Sequence, residues 1–444
     1  MSYSTYAKYR DSGFKWIGNI PEPWDVRRLK NLLDSPVTDG PHLTPEFLYE
    51  GIPFLSVDGI QDGELQFEGC RYVSIADHQQ FAKKAAPRRG DVLLGKAAST
   101  GKIAQVKVDF EFNIWSPLAL LRPNQAEITS TYLEYALKSP AVQAQIDVLC
   151  THNTQSNISM DDIPKLVLPL PSSVEQQQIA AFLDWKTRQI DALIAKKKEL
   201  MEKLKEKRLA VITQAVTKGL DAAVPMRDSC ITWLGDVPKN WEVKPVKYLT
   251  KILRGQFAHR PRNDPAFYDG EYPFVQTGDI ARAGKYVTTY SQTLNERGLS
   301  VSRQFPAGTL VMTIAANIGD MAIIEFPACF PDSIVGFIPE AGIELDFLYY
   351  MFIAMKHRLM MTAVLNTQLN LNIDRISSIE TAAPPHEEQK KIVAHVDREI
   401  ARSQQLMGKA EDAIARLTEY RTALITAATT GKIDLRHVAI PAPT

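Results

Sequence analysis

Only four cysteines occur in 444 residues, at positions 70, 150, 230 and 329. That scatter excludes a CxxC zinc site and a disulfide scaffold, and it suits a reducing compartment. Long apolar runs are missing as well. No stretch of about 18 apolar residues is available to span a bilayer, and residues 1–15, MSYSTYAKYRDSGFK, carry no apolar signal core. A cytoplasmic protein without membrane contact is the expectation. An excess of charge of either sign is absent too, since 51 Lys and Arg balance 51 Asp and Glu. Any affinity for nucleic acid must then come from local segregation of charge. The motifs of several enzyme classes are also lacking. There is no [DNS]PP[YF] tetrapeptide of adenine methyltransferases: Asn263-Asp264-Pro265-Ala266 and Ala383-Pro384-Pro385-His386 lack what it requires. No FxGxG cofactor loop, no GxxxxGK[ST] phosphate loop and no HExxH are present. The one Pro-Asp, Pro331-Asp332, lies far from the [DE]xK-like Glu388-Gln389-Lys390 that a nuclease would need nearby. The chain is therefore expected to be no enzyme and to hold neither cofactor nor metal.

What is present is present twice. Trp16-Ile17-Gly18-Asn19-Ile20-Pro21, with Trp24 and Lys30, returns as Trp233-Leu234-Gly235-Asp236-Val237-Pro238 with Trp241 and Lys247. Pro53-Phe54 and Ile60 match Pro273-Phe274 and Ile280, and Gly101 matches Gly319. Asn153-Thr154-Gln155, Asn157, Asp161 and Ile163 match Asn366-Thr367-Gln368, Asn370, Asp374 and Ile376. Each copy continues through "EQQQI" or "EQKKI" into a long charged segment. Offsets that drift by a few residues mean loop insertions within two copies of one unit, each a globular half followed by a helix. An internal pseudo-two-fold of this kind suits a reader of two separated segments of duplex DNA. Trp24 and Trp241 each follow a Pro turn inside a repeated apolar frame, which predicts core packing rather than base stacking.

Basic residues do segregate locally. Lys244, Lys247, Lys251, Arg254, Arg260 and Arg262 fall in a stretch with no acid, ending in "FAHRPRNDP". Prolines 261 and 265 hold that segment as a loop able to present Arg and His side chains. In the first half, Lys83, Lys84, Arg88, Arg89, Lys96 and Lys102 face Asp91 alone. A solvated face explains either stretch taken singly; their occurrence in both globular halves brings a nucleic-acid surface level with that reading.

The two charged segments carry apolar residues near a 3.5 spacing. In the first these are Leu183, Ile190, Leu193, Leu200, Leu204 and Val211; in the second, Val396, Ile400, Met407, Ala410, Ile414, Leu417, Leu424 and Ala428. Narrow seams with charged flanks predict an antiparallel two-helix coiled coil, some 40 residues and so roughly 60 Å long. The globular halves read as mixed α/β: short runs such as 91–94 and 309–312 suggest strands, and 132–137 and 347–355 suggest helices.

WxGxxPxxW opening each half, "GIPFLSVDGI", "RGQFAHRPRNDPAFYDGEYPFVQTGDI", "NTQSNIS" or "NTQLNLN", and the lead into the helix through "PLPSSVEQQQIAAFLD" or "APPHEEQKKIVAHVD" together resemble the specificity subunit of type I restriction-modification systems. The resemblance runs the length of the chain, in order and twice. It implies a mixed α+β fold of two pseudo-symmetric target recognition domains, 1–172 and 221–385, joined by spacer helices, one at 173–220 and the second, with a C-terminal tail, at 386–444. It further implies a non-catalytic DNA-binding subunit in which each half reads one part of a bipartite double-stranded site. Its implied partners are two modification subunits, which use S-adenosylmethionine to methylate adenine, and restriction/translocase subunits.

Base-reading loops are sought where the two halves differ. In the first half the candidates are Thr38, Asp39, His42, Lys96, Ser99, Thr100 and Lys102. In the second they are Arg254, His259, Arg260, Arg262, Asn263, Gln276 and Thr277. Arg can pair bidentately with guanine, and Asn or Gln with adenine, while other contacts grip phosphate. Asn153, Gln155 and Asn157, with Asn366, Gln368 and Asn370, are candidates for a joint that meets the modification subunit; the competing reading is a polar turn bonded to its own backbone. Two other functions stay open: a coiled-coil scaffold whose halves bind protein, and a fused methyltransferase or nuclease, which the missing motifs oppose.

Overall fold

The computed structural model describes residues 3–152, 156–315, 318–361, 364–365 and 369–441. They form two compact units, one of residues 1–197 with 412–444 and one of residues 198–411.

The first unit is built on an antiparallel sheet in the order Ile103–Gln105, Val92–Gly95, Leu118–Leu121, Thr38–Asp39. Val92–Gly95 and Leu118–Leu121 are buried at every position and so read as continuous apolar runs rather than alternations. Helices Ser130–Lys138 and Pro140–Leu149 pack with this sheet in one core, and Pro140, which cannot continue the preceding helix, divides them. A second pairing, Asp25–Arg28 with Val167–Leu170, brings the start of the half against its end.

The second unit repeats this plan. Its five-stranded sheet runs Thr250–Arg254, Ile334–Pro339, Thr309–Thr313, Met321–Ile324, Tyr286–Val287. The first four correspond, in reverse order, to the four strands above, and Glu242–Pro245 pairs with Glu380–Ala383 as its counterpart does. A single helix, Leu345–Met361, stands where the first unit has two. Trp24 and Trp241 are each 1 % exposed, so both are core residues. Each roofs a glycine at positive φ: a Cβ on Gly431 would lie 3.2 Å from the Trp24 ring, and one on Gly219 would lie 3.3 Å from the Trp241 ring.

Two helices dominate the chain, Ser173–Lys218 with 46 residues and His386–Thr429 with 44. Within the first unit their portions run antiparallel: Asp191 pairs with Arg421 at 2.9 Å, while Gln178 donates to the carbonyls of Leu435 and Val438. Within the second they do so again, with Gly219 beside Glu388 and Leu204 to Val211 facing Glu399 to Leu406 around a cavity of about 90 Å³. The seam differs from the expected one by a residue. Leu193 and Leu200 are 49 % and 45 % exposed, and Ile194 and Met201 point inward instead. Counting alternately four and three from buried Ile190 passes 194, 197, 201, 204, 208 and 211, so Leu193 and Leu200 fall just outside the stripe. Among the described residues no helix is long and apolar enough to cross a membrane.

One side chain locks each long helix to its globular half. Gln176, 1 % exposed, accepts from the Thr129 N–H at 2.9 Å and donates to the carbonyls of Glu127 and Pro171 at 2.9 and 3.1 Å. Gln389, equally buried, accepts from Glu344 N–H at 2.8 Å and donates to the Gly342 and Pro384 carbonyls at 3.2 and 2.9 Å. These are the glutamines of "EQQQI" and "EQKKI". Both the motif and its wiring are repeated.

Candidate functional site

In the first unit the edge strand Thr38–Asp39 delivers its acid into a basic cluster. Asp39 accepts from Lys84 Nζ at 2.5 Å and from Lys96 Nζ at 3.0 Å, with His42 Nε2 3.3 Å away. Burial opposes ionisation of Asp39, but the bonds and charges of Lys84 and Lys96 outweigh it and hold the carboxyl below its ordinary range. Lys84 also donates to the Gly40 carbonyl. Gly40 must be glycine, since a Cβ there would sit 1.8 Å from the Ile114 carbonyl oxygen. Thr38 is half-buried on the same strand, and His42 is exposed.

Lys96 begins a loop that carries three further candidates. Its carbonyl accepts from Ile158 N–H, and Ala97 bridges Asn157. Thr100 donates to the Ser156 carbonyl at 2.7 Å, and Ser99 is half-buried beside it. The structure thus brings Lys96, Ser99 and Thr100 together with exposed Asn157, joining residues expected to read DNA with one expected to meet a partner. The second unit repeats the contact, with Leu371 N–H donating to the Ile314 carbonyl. Asn370 lies in a short strand there, whereas Asn153, Gln155, Asn366 and Gln368 fall outside the described residues. Lys102 is exposed and donates to the Ile60 carbonyl. The basic run before this loop is anchored from beneath: Arg122 grips buried Asp91 through two bonds of 2.9 and 2.8 Å and also donates to the Ala86 carbonyl.

In the second unit three arginines converge on one acid. Arg262 Nη2 lies 2.6 and 2.7 Å from the two carboxylate oxygens of Asp332, Arg260 Nη2 lies 3.7 Å away, and Arg254 Nε donates to the Asp332 main-chain carbonyl at 2.6 Å. Arg303 adds a fourth guanidinium by donating to the Arg254 carbonyl. The loop between 256 and 268 is held by a small core in which its Phe257 and Tyr268 meet Phe274, Leu294 and Cys329, and Tyr268 Oη donates to the Arg262 carbonyl. His259 stacks on Phe267 at 4.0 Å and faces Asp264 at 3.1 Å. Asn263 is exposed. Gln276 and Thr277 open the helix Thr277–Arg282 instead; Gln276 donates to Gln292 at 2.9 Å, and its N–H bonds Asp279.

Sequence reasoning missed Asp332, Arg303 and Lys84 as members of these clusters. Asp332 and Arg262 are 70 positions apart, and no local pattern announces the pairing. Lys84 lay in the basic run without a mark to single it out. Also unforeseen was a network in the second unit where Lys285 meets Asp346, Asp397 and the Tyr350 hydroxyl at 3.1, 3.2 and 3.3 Å, on the wall of a cavity of about 490 Å³.

A family model described as "Type I restriction modification DNA specificity domain" matches residues 21–203 and again residues 238–415. The chain is 27 % identical over 396 residues to the putative type I restriction enzyme MjaX specificity subunit of Methanocaldococcus jannaschii, covering 86 % of this chain and 89 % of that protein. It is 25 % identical over 194 residues to the type I restriction enzyme EcoBI specificity subunit of Escherichia coli, covering 42 % and 41 %. Among solved structures, a chain from work on complex assembly and conformational transition of the type I R-M system aligns with a TM-score of 0.73 at 16 % identity, covering 92 % of this chain and 98 % of that one. The HsdS subunit from Thermoanaerobacter tengcongensis aligns at 0.51 and 15 %, covering 93 % and 98 %. At such identities these structures speak for the fold.

Proposed function

The chain belongs to the type I restriction-modification DNA specificity family, and from that premise we propose that its two repeats each read one part of a bipartite duplex site. The observation that carries this reading is a basic cluster built on the same sheet position in both units but from different residues: Asp39 with Lys84 and Lys96 in one, Asp332 with Arg254, Arg260 and Arg262 in the other. A repeat that keeps its frame and changes its charged side chains suits two half-sites of different sequence. Residues 1–172 and 221–385 are the reading halves, 173–220 the first spacer helix, and 386–444 the second spacer helix with the C-terminal tail. The remaining roles follow the family: the chain performs no catalysis, works in the cytoplasm, and docks two modification subunits and the restriction subunits, with Asn153, Gln155, Asn157, Asn366, Gln368 and Asn370 at the joint.

Methylome sequencing of cells carrying the chain with its modification subunits tests this. A bipartite methylated motif is expected, and exchanging 244–385 for a relative's segment changes one half of it only. A swap that altered both halves refutes the modular reading. The paired helices act as the ruler between half-sites. Deleting Ala195–Met201 together with Gln404–Ala410 keeps heptad phase and removes about 10 Å of helix, or roughly three base pairs with a rotation near 100°. The original site is then lost or replaced by one with a shorter gap. Unchanged methylation by the doubly shortened chain refutes the ruler.

A further inference from the structure

Strand register makes the two clusters directly comparable. Asp39 lies opposite Ala119, whose neighbour Leu118 lies opposite Gly95; Arg254 lies opposite Val335, whose neighbour Ile334 lies opposite Thr313. Asp39 and Arg254 are therefore the same position in the two copies, and Ser116 and Asp332 are likewise. A glycine follows each strand, and a Cβ on Gly255 would sit 2.2 Å from the Pro331 carbonyl oxygen, much as one on Gly40 would meet Ile114. The backbone frame is common to both. The charge on it is inverted, with the acid on the edge strand in the first unit and on the facing loop in the second.

Exposure separates the two acids further. The Asp39 and Lys96 side chains are 6 % and 11 % exposed, an internal pair that leaves the more exposed Lys84 and His42 as the members of that cluster a ligand meets. Those of Asp332 and Arg262 are 37 % and 47 % exposed, so water screens the pair and its members remain available to a ligand. Both Asp332 oxygens are met by the same Arg262 nitrogen, which leaves Nη1 and Nε of that guanidinium and further carboxylate lone pairs uncommitted in the contact. Among the described residues Asp332 is the carboxylate set against Arg260 and Arg262.

We propose that Arg262 and Asp332 act as one reading head for a G·C base pair in the major groove of the half-site bound by the second unit, with Asp332 the specificity-determining residue. This deepens the sequence-reading role proposed above and rests on it. A G·C pair shows two acceptors, O6 and N7 of guanine, beside one donor, the N4 amino group of cytosine. An arginine and an aspartate held side by side offer the complementary pattern. Against an A·T pair the carboxylate would face the thymine O4 acceptor, and lone pair would meet lone pair. The carboxylate also guards against phosphate: on duplex without the right base pair it keeps the guanidinium occupied and repels the backbone, so the cluster does not grip any sequence indiscriminately.

The test is Asp332→Asn in the full chain, assembled with its modification subunits, read by methylome sequencing beside wild type and Arg262→Gln. In wild type the half-site assigned to the second unit by the 244–385 exchange contains at least one G·C pair. With Asp332→Asn, discrimination relaxes at one such position while the other half-site is untouched, and binding to a random-sequence duplex tightens by roughly three- to tenfold, with a steeper salt dependence. Arg262→Gln in the same background removes that gain. An unchanged motif, a change confined to the other half-site, a second half-site without G·C, or loss of all methylation at unchanged thermal midpoint each overturns the proposal and leaves the modular reading intact. Absence of any bipartite methylation by wild type overturns both.

Discussion

Replacing Gln176 by leucine tests how the long helix is tied to the first globular half. Leucine matches the side chain closely in volume, so little cavity forms, and the effect is concentrated in hydrogen bonding. Three backbone groups lose their partner: the Thr129 N–H and the carbonyls of Glu127 and Pro171. A buried N–H left unpaired costs about 1–3 kcal/mol, and carbonyls with a second lone pair cost less. The sum is about 2–4 kcal/mol of local stability, or roughly 30- to 900-fold in an opening equilibrium. Thr129 caps the helix Ser130–Lys138 by accepting from the Tyr132 N–H, so the loss is expected in that helix first. Native-state hydrogen exchange followed by mass spectrometry reads it directly: peptides from 129–138 should lose protection, while Leu345–Met361, held by Gln389, keeps its rate. Gln176→Glu retains the acceptor for Thr129 but loses both donated bonds and buries a charge, so it should be no milder. A change below about 0.5 kcal/mol, the range of ordinary surface substitutions, refutes the reasoning. So does equal loss of protection in both helices.

Asp39→Asn should destabilise the first unit near neutral pH, because it leaves the Lys96 side chain, 11 % exposed, without its counter-charge. The Asp39 carboxyl sits below its ordinary value of about 4, so its contribution is present above that value and is lost as pH falls through the depressed one. Urea midpoints of wild type and variant should accordingly diverge at pH 7 and converge toward pH 2–3; parallel curves across that range refute the assignment. The one-residue offset of the seam gives a second contrast. Leu193→Glu should change stability by no more than about 0.5 kcal/mol, whereas Ile194→Glu, which places a charge in the helix contact, should cost about 2 kcal/mol or more. Thermal unfolding that ranks them the other way restores Leu193 to the seam.

Much of this architecture is written locally in the chain. Recurring Trp-Gly-Pro frames, paired Asn-Thr-Gln motifs and two long heptad segments determine by themselves that there are two copies of one α/β unit and two long helices, because each signal lies within a short length of chain. The same signals place the tryptophans in the cores. Local spacing did not settle the seam, where Leu193 and Ile194 are adjacent apolar residues and only the facing helix decides which is buried. Nor did it foresee that Pro140 splits one helix where the second copy keeps Leu345–Met361 whole. Above all, the sequence marked Arg260 and Arg262 as candidates but could not say what they face. Asp332 reaches them because the strand Ile334–Pro339 pairs with Thr250–Arg254, and that register sets the preceding loop against the arginines. Which charges neutralise one another depends on strand pairing between distant segments. Tertiary structure alone decided that, and with it which arginines gather around Asp332.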